Sequence, residues 1–365
     1  MHINFTTHVI IMKTKSAFSE RFKSARLMNG FSLQDLADAL DEKLSRQALH
    51  RYEKGEVIPD GEKIYLLSKA MNVSVDYFFR DTKVELGEIE FRKLKKMPQK
   101  EASIIKEKTK EYLSRYLELE EILNLSGKFE NPLKDLGAIT TYEQANSAAE
   151  QLREKWGLGK GPIYNIVELL ESNNIKVVKL DVNENFDGLQ TLVNEAVPVV
   201  AYNSKKANKP DRIRFTLLHE LAHLLLKFGE MTEKQKENLC HQFAGAMLLP
   251  EKTLKEELGN HRNKLSINEL GSIKKQYGIS MQAIAMRAKD CNITNEHYTK
   301  QFFFLFEQMN WRIDEPIEYQ GAEESNRFEQ LLFRALIEEQ ISISKAASLS
   351  NQSLAEFKKQ YQPMF

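Results

Sequence analysis

The sequence predicts a mainly α chain with one small antiparallel β-sheet, an α+β protein of two or three domains. Three observations carry this. Apolar residues recur at helical spacing over most of the chain. Only three runs, 175–180, 188–193 and 197–203, are β-rich, and Asn, Asp and Glu turns separate them. At 365 residues the chain is long enough for more than one core. The divisions read as an extension over 1–16, an all-α domain over 17–82, a helical linker over 83–130, a larger domain over 131–316 and a helical segment over 317–365.

Met1 to Ser16 holds two His and two Lys and lacks the long apolar core and cleavage site of a signal peptide; Met12 can serve as an alternative start. From Ala17 short helices follow one another. Phe18, Phe22, Ala25 and Leu27 mark the first. Ser32 caps a second, Leu33 to Leu40, and Ser45 a third, Arg46 to Tyr52, stopped at Gly55. A fourth runs from Gly61 to Met71, and Val73, Val75, Tyr77 and Phe78 close the core. The second and third helices, joined by a tight polar turn, form a helix-turn-helix whose Arg46, Gln47, His50 and Arg51 can lie along a major groove. A helical protein-interaction module is the plainer reading of the same exposed face.

Lys100 to Leu123 reads as a long amphipathic helix with a solvated charged face, its Tyr112, Tyr116, Leu117 and Leu119 packing on a neighbouring domain or a second subunit. Helices are expected at Tyr142 to Trp156 and Pro162 to Glu171 before the three strands. After them come helices at Phe215 to Leu226, Glu233 to Leu249, Ile267 to Tyr277, Ser280 to Lys289 and Asn295 to Met309, the last with a core aromatic cluster, Phe302 to Phe306. Two or three further helices, including Phe328 to Glu339 and Ser342 to Leu349, end the chain.

Composition excludes several classes. Lysine plus arginine equals aspartate plus glutamate at 52 each, so no global field favours nucleic acid or membrane, and any basic surface is local. Cys240 and Cys291 are far apart, which excludes a disulfide framework and a cysteine metal site and fits a reducing cytoplasm. No stretch approaches the roughly 18 apolar residues of a membrane span.

The chemistry concentrates at His219-Glu220-Leu221-Ala222-His223, set among Leu217, Leu218, Leu224, Leu225 and Leu226. Residues four apart share a helix face, so the two imidazoles can converge on one ion while Glu220 stands beside it as a general base. Unpaired ionisable groups are costly in so apolar a helix, which favours Zn2+ over a chance arrangement. A third ligand is needed. Glu237, one helix on, is the first choice and Glu233 its competitor; His241 can ligate, support a ligand from behind, or simply face solvent.

Two resemblances add to this. Ser32-Leu33-Gln34-Asp35-Leu36-Ala37, Ser45-Arg46-Gln47-Ala48-Leu49, Tyr52-Glu53-Lys54-Gly55 with Pro59, and Val73 to Phe78 resemble the Cro and phage-repressor type of helix-turn-helix, known as the XRE family. The resemblance implies that Arg46, Gln47, His50 and Arg51 face base edges of a double-stranded operator, with Gln34 on a phosphate. Val200-Ala201-Tyr202-Asn203, Arg212 to Leu225, Glu237, Phe243-Ala244 and Leu248-Leu249-Pro250 resemble the metallopeptidases named after ImmA and IrrE. That resemblance implies a zincin-like domain with His219, His223 and Glu237 as zinc ligands, catalytic Glu220, and a protein substrate, a repressor of a mobile element or stress genes. Ala222, Cys240 and His241 depart from it, standing where the family often has glycine, alanine and asparagine. A homodimer on a palindromic site is the expected assembly. The alternatives are a regulator whose protease-like domain only senses, and an antitoxin-like protein.

Overall fold

Side-chain caps begin most of the helices. Ser32, Ser45, Asp60, Thr141, Asn165, Thr232, Ser266, Ser280, Asn295, Ser342 and Ser353 each accept a bond from a backbone N–H of the first turn, satisfying donors that a helix leaves unpaired. The computed structural model describes residues 17–80, 84–87, 97–125, 127–182 and 186–361; the N-terminal extension lies outside them. In chain order the elements are α1 (residues 17–28), α2 (Leu33–Ala39), α3 (Arg46–Glu53), α4 (Gly61–Ala70), a 3-10 turn (Val75–Phe79), α5 (Gln99–Ile122), α6 (Tyr142–Lys155) and α7 (Ile166–Ser172). They continue with β1 (Lys176–Leu180), β2 (Gly188–Val193), β3 (Val197–Asn203), α8 (Pro210–Leu225), α9 (Glu233–Leu248), α10 (Glu251–Leu258), α11 (Ile267–Tyr277), α12 (Met281–Asp290) and α13 (Glu296–Gln308), and end with α14 (Arg327–Ile337), α15 (Ile343–Leu349) and α16 (Leu354–Gln360).

The chain divides into two compact units: residues 1–86, 91–126 and 326–365 form one, and 87–90 with 127–325 the other. In the first, α1 to α4 close over Phe18, Phe22, Leu36, Leu49, Leu67, Tyr77 and Phe78. Val75, expected in this core, is exposed, because Ser74 caps the 3-10 turn and turns Tyr77 and Phe78 inward instead. Arg26 holds Glu53 through two bonds of 2.8 and 2.9 Å, tying α1 to the end of α3. The long helix α5 is not solvated along its charged face: Glu111 is buried, accepting from Arg21 at 2.7 Å and pairing with Arg80 and Arg115. Its apolar side, with Tyr116 and Leu119, packs on α14 to α16 around Leu332, Leu349 and Phe357.

In the second unit α8 and α9 pack together and α6 covers α9. The helix expected from Pro162 begins four residues later, since Gly157 and Gly159 take left-handed conformations and Asn165 supplies the cap. The helix α10 was not legible ahead of the structure, its short apolar pattern being limited to Leu254 and Leu258. The sheet differs too. Its order is β1-β3-β2, with β2 antiparallel to β3 but β1 parallel to it, so it is mixed rather than antiparallel. The strand β3 is buried at almost every position and therefore takes the centre, where both edges and both faces are covered. Phe302 and Phe306 join the core as expected, whereas Phe304 is exposed.

Candidate metal centre

Two adjacent helices build this site. Pro210 opens α8 in the first-turn position where its missing N–H costs nothing, and the helix runs unbroken through both histidines. The capping box of Thr232 and Gln235 starts α9 so that Glu237 falls one turn in, facing α8. His219 Nε2 stands 3.2 Å from Glu237 Oε2, His223 Nε2 stands 3.3 Å from Glu237 Oε1, and the two Nε2 atoms are 3.2 Å apart. Among the described residues these three are the group whose donor atoms could hold a metal ion. Donors placed about 2.0–2.1 Å from a tetrahedral zinc are separated by about 3.3 Å, the spacing of each contact here, with the two imidazoles meeting different oxygens of the Glu237 carboxylate. Two imidazoles and one carboxylate, with a fourth position left for water, is the donor set of catalytic rather than structural zinc.

Electrostatics agree with a site kept ready for a cation. Burial lowers His219 to about 4, against the opposing pull of Glu237, so near neutral pH the imidazole is uncharged. Hydrogen bonds from His219 and His223 hold the Glu237 carboxyl far below the usual range, which keeps it an anion. Cys240, on the same helix, is fully buried, and that burial pushes its thiol up well beyond neutrality, so it offers no thiolate. Both Nδ1 atoms are buried without a hydrogen-bond partner among the described residues, a departure from the carboxylate or carbonyl support usual for ligating histidines.

Glu220 is buried beside His219, on the side toward the sheet. What makes room for it is Gly188, the first residue of β2. A β-carbon there would stand 2.8 Å from Glu220 Cγ, 3.0 Å from its Oε1 and 2.8 Å from Thr216 Cγ2. Sequence reading missed Gly188; the signal was a glycine opening a strand, a place where another group often approaches the backbone closely. Leu217, Leu218, Leu221 and Ala222 are wholly buried around the polar residues.

The other candidates sort by position. Glu233 lies exposed in the first turn of α9 and is outside the group. His241 is exposed and also outside it, its ring 4.5 Å from that of His219 and 5.8 Å from Phe215, so it covers one side of the His219 imidazole. In the first unit Arg46, Gln47, His50 and Arg51 all point to solvent from α3 while Leu49 and Tyr52 are buried, the division a groove-reading helix requires. Arg51 pairs with Glu56 at 3.4 Å, and Gln34 donates to Asp38 at 2.7 Å.

Comparison with known proteins matches both ends of this description. Residues 22–78 match the helix-turn-helix family HTH_3, and residues 170–289 match the IrrE N-terminal-like domain, Peptidase_M78. The chain is 37% identical over 65 residues to the SPbeta prophage-derived uncharacterized HTH-type transcriptional regulator YonR of Bacillus subtilis (strain 168), covering 18% of this chain and 58% of that protein. It is 34% identical over 70 residues, 19% of this chain and 52% of the other, to the uncharacterized HTH-type transcriptional regulator RP497 of Rickettsia prowazekii (strain Madrid E). The chain spans about half the length of the curated relatives it matches. A stretch similar to helix-turn-helix domains is thus followed by one similar to the IrrE N-terminal-like domain, in that order. Among the described residues no helix is long and apolar enough to cross a membrane.

Proposed function

We propose that this chain is a zinc-dependent endopeptidase joined to a DNA-binding domain, acting in the cytoplasm on a regulatory protein, a repressor of a mobile element or of stress genes. The observation that carries the reading is the triangle of His219, His223 and Glu237 with buried Glu220 next to it. A zinc ion bound there would supply a Lewis acid able to polarise a scissile carbonyl and acidify water. His219 and His223 would hold it through their imidazole nitrogens, and Glu237 would add the negative charge that retains a dication. Glu220, not needed as a ligand, accepts the proton of the attacking water and passes it to the leaving amine. The leucines of α8 keep bulk water out and strengthen these interactions. At the other end Arg46, Gln47, His50 and Arg51 read bases of an operator and Gln34 rests on phosphate, two copies sharing a palindrome.

The test separates metal from chemistry. Glu220→Gln keeps about one zinc per chain by atomic absorption and loses proteolysis, while His223→Ala loses both. Substrates are found by mapping the new protein N-termini that arise in cells expressing the wild-type chain. Termini that form equally with Glu220→Gln would refute the base; wild-type protein that holds zinc yet creates none would leave the domain a sensor.

A further inference from the structure

Residues 314–325, between α13 and α14, have no helix or strand, yet every second residue of their first half is seated in a fitted place. Glu315 is buried and accepts from Lys274 Nζ at 2.8 Å and from the N–H groups of Met281 and Gln282, at 2.9 and 3.1 Å, at the start of α12. Ile317 fills the notch left by Gly271, where a β-carbon would stand 2.0 Å from its Cδ1. Tyr319 lies over the Arg214 guanidinium, 5.2 Å from ring centre to Cζ, in space kept by Gly278. Glu323, 2% exposed, accepts from Arg214 and from the N–H of Ile166 at 2.7 Å.

Two of these anchors, Tyr319 and Glu323, end on α8 at Arg214, and Glu315 reaches it through Lys274. Arg214, five residues before His219, is wholly buried and also donates to the carbonyls of Ile163 at 2.7 Å and Tyr277 at 3.3 Å. Lys274, held by Glu315, also holds Asp211 of α8 at 2.9 Å. A buried guanidinium without its carboxylate is strongly unfavourable, so the strap fixes where Arg214, and with it the N-terminal half of α8, can stand. The ligand triangle depends on that placement, because two corners ride on α8 and the third on α9. We propose that Glu323, acting through Arg214, is a positioning residue for the metal centre: it sets α8 in the register with α9 at which His219 and His223 meet Glu237. This rests on reading those three residues as metal ligands.

The test uses the full chain and zinc alone. Glu323→Gln keeps the shape and removes the anion. It weakens zinc binding at least tenfold in chelator competition, well below the melting temperature, and shifts the visible absorption of the cobalt-substituted protein. Leu254→Ala, a core truncation on α10, serves as the control for lost stability; at a comparable fall in Tm it binds zinc within twofold of wild type. Should Glu323→Gln not fold, Glu323→Asp, which retains the charge on a shorter stem, weakens zinc at least threefold. Wild-type zinc affinity in a folded Glu323 variant overturns the positioning role, whereas a wild-type chain that binds no zinc overturns the metal reading beneath it.

Discussion

Gly188→Ala tests the placement of Glu220 without touching a proposed ligand. The added methyl would begin 2.8 Å from Glu220 Cγ and Thr216 Cγ2 and 3.0 Å from Glu220 Oε1. Ordinary carbon contacts start near 3.5 Å, so either β2 lifts or the Glu220 side chain moves by about 0.5–0.8 Å. The strand is held to β3 along its whole length, from Gly188 opposite Tyr202 to Val193 opposite Val197, so the carboxylate is the part that moves. Overpacking of this size costs about 1–3 kcal/mol of stability, and a catalytic group displaced by roughly 1 Å can cost on the order of 100-fold in rate. Expected are full zinc content, a modest fall in Tm, and cleavage of the mapped substrate reduced by about 10- to 100-fold in kcat with little change in KM. Zinc content and single-turnover cleavage measure the two separately. Undiminished kcat in a folded Gly188→Ala protein would mean that Glu220 does no proton transfer from this position.

Three other expectations follow from the same geometry. The metal-free protein loses stability as pH falls from 6.5 to about 4, because unfolded His219 takes up a proton throughout that window while the folded residue, lowered to about 4 by burial, resists; the contribution is on the order of 3 kcal/mol, and denaturant titrations of wild type against His219→Asn should show the slope disappear. Arg26→Ala leaves Glu53 without its paired guanidinium and should destabilise the helix-turn-helix by about 2 kcal/mol, read as an earlier denaturant midpoint for that unit; an unchanged midpoint would contradict the coupling of α1 to α3. Arg46→Ala and Gln47→Ala should each relax preference at one base pair of a selected operator by about 1–3 kcal/mol in competition binding, and an unaltered preference in both would remove α3 from the groove.

Much of this was legible because its causes are local. The caps Ser32 and Ser45 fixed where α2 and α3 begin, apolar spacing placed the starts of α9, α11 and α12 to within a residue, and the β-branched runs at 188–193 and 197–203 correspond to β2 and β3. His219 and His223 could be paired from spacing alone, since a helix dictates which residues share a face. Other features depend on partners distant in sequence. The parallel pairing of β1 is with β3, some twenty residues on, which no pattern within Lys176 to Leu180 records. Glu111 reads as a solvated charge on α5 until Arg21 and Arg80 are brought to it from the helix-turn-helix. Gly188 and Glu323 have no periodicity to announce them: one matters through the side chain it lacks, the other through a cation more than a hundred residues earlier.

The composition of α8 bears on whether the site is working or residual. Beyond Asp211 and Arg214 near its start, this helix buries His219 at 5% and Glu220 at 6% exposure among fully buried Leu217, Leu218 and Leu221. Replacing the polar pair with aliphatic residues would remove a desolvation cost, and for folding alone such replacements are often neutral or stabilising. A metal used only to hold α8 against α9 would account for His219, His223 and Glu237, but not for a buried carboxylate next to the ligands. The sheet, moreover, gives up a side chain at Gly188 to accommodate that carboxylate. A site that had lost its chemistry would be under no physical constraint to keep Glu220 and the glycine facing it, because an apolar pair at the same positions would pack the same space with less to desolvate. Proton transfer at Glu220, the role proposed for it, uses both.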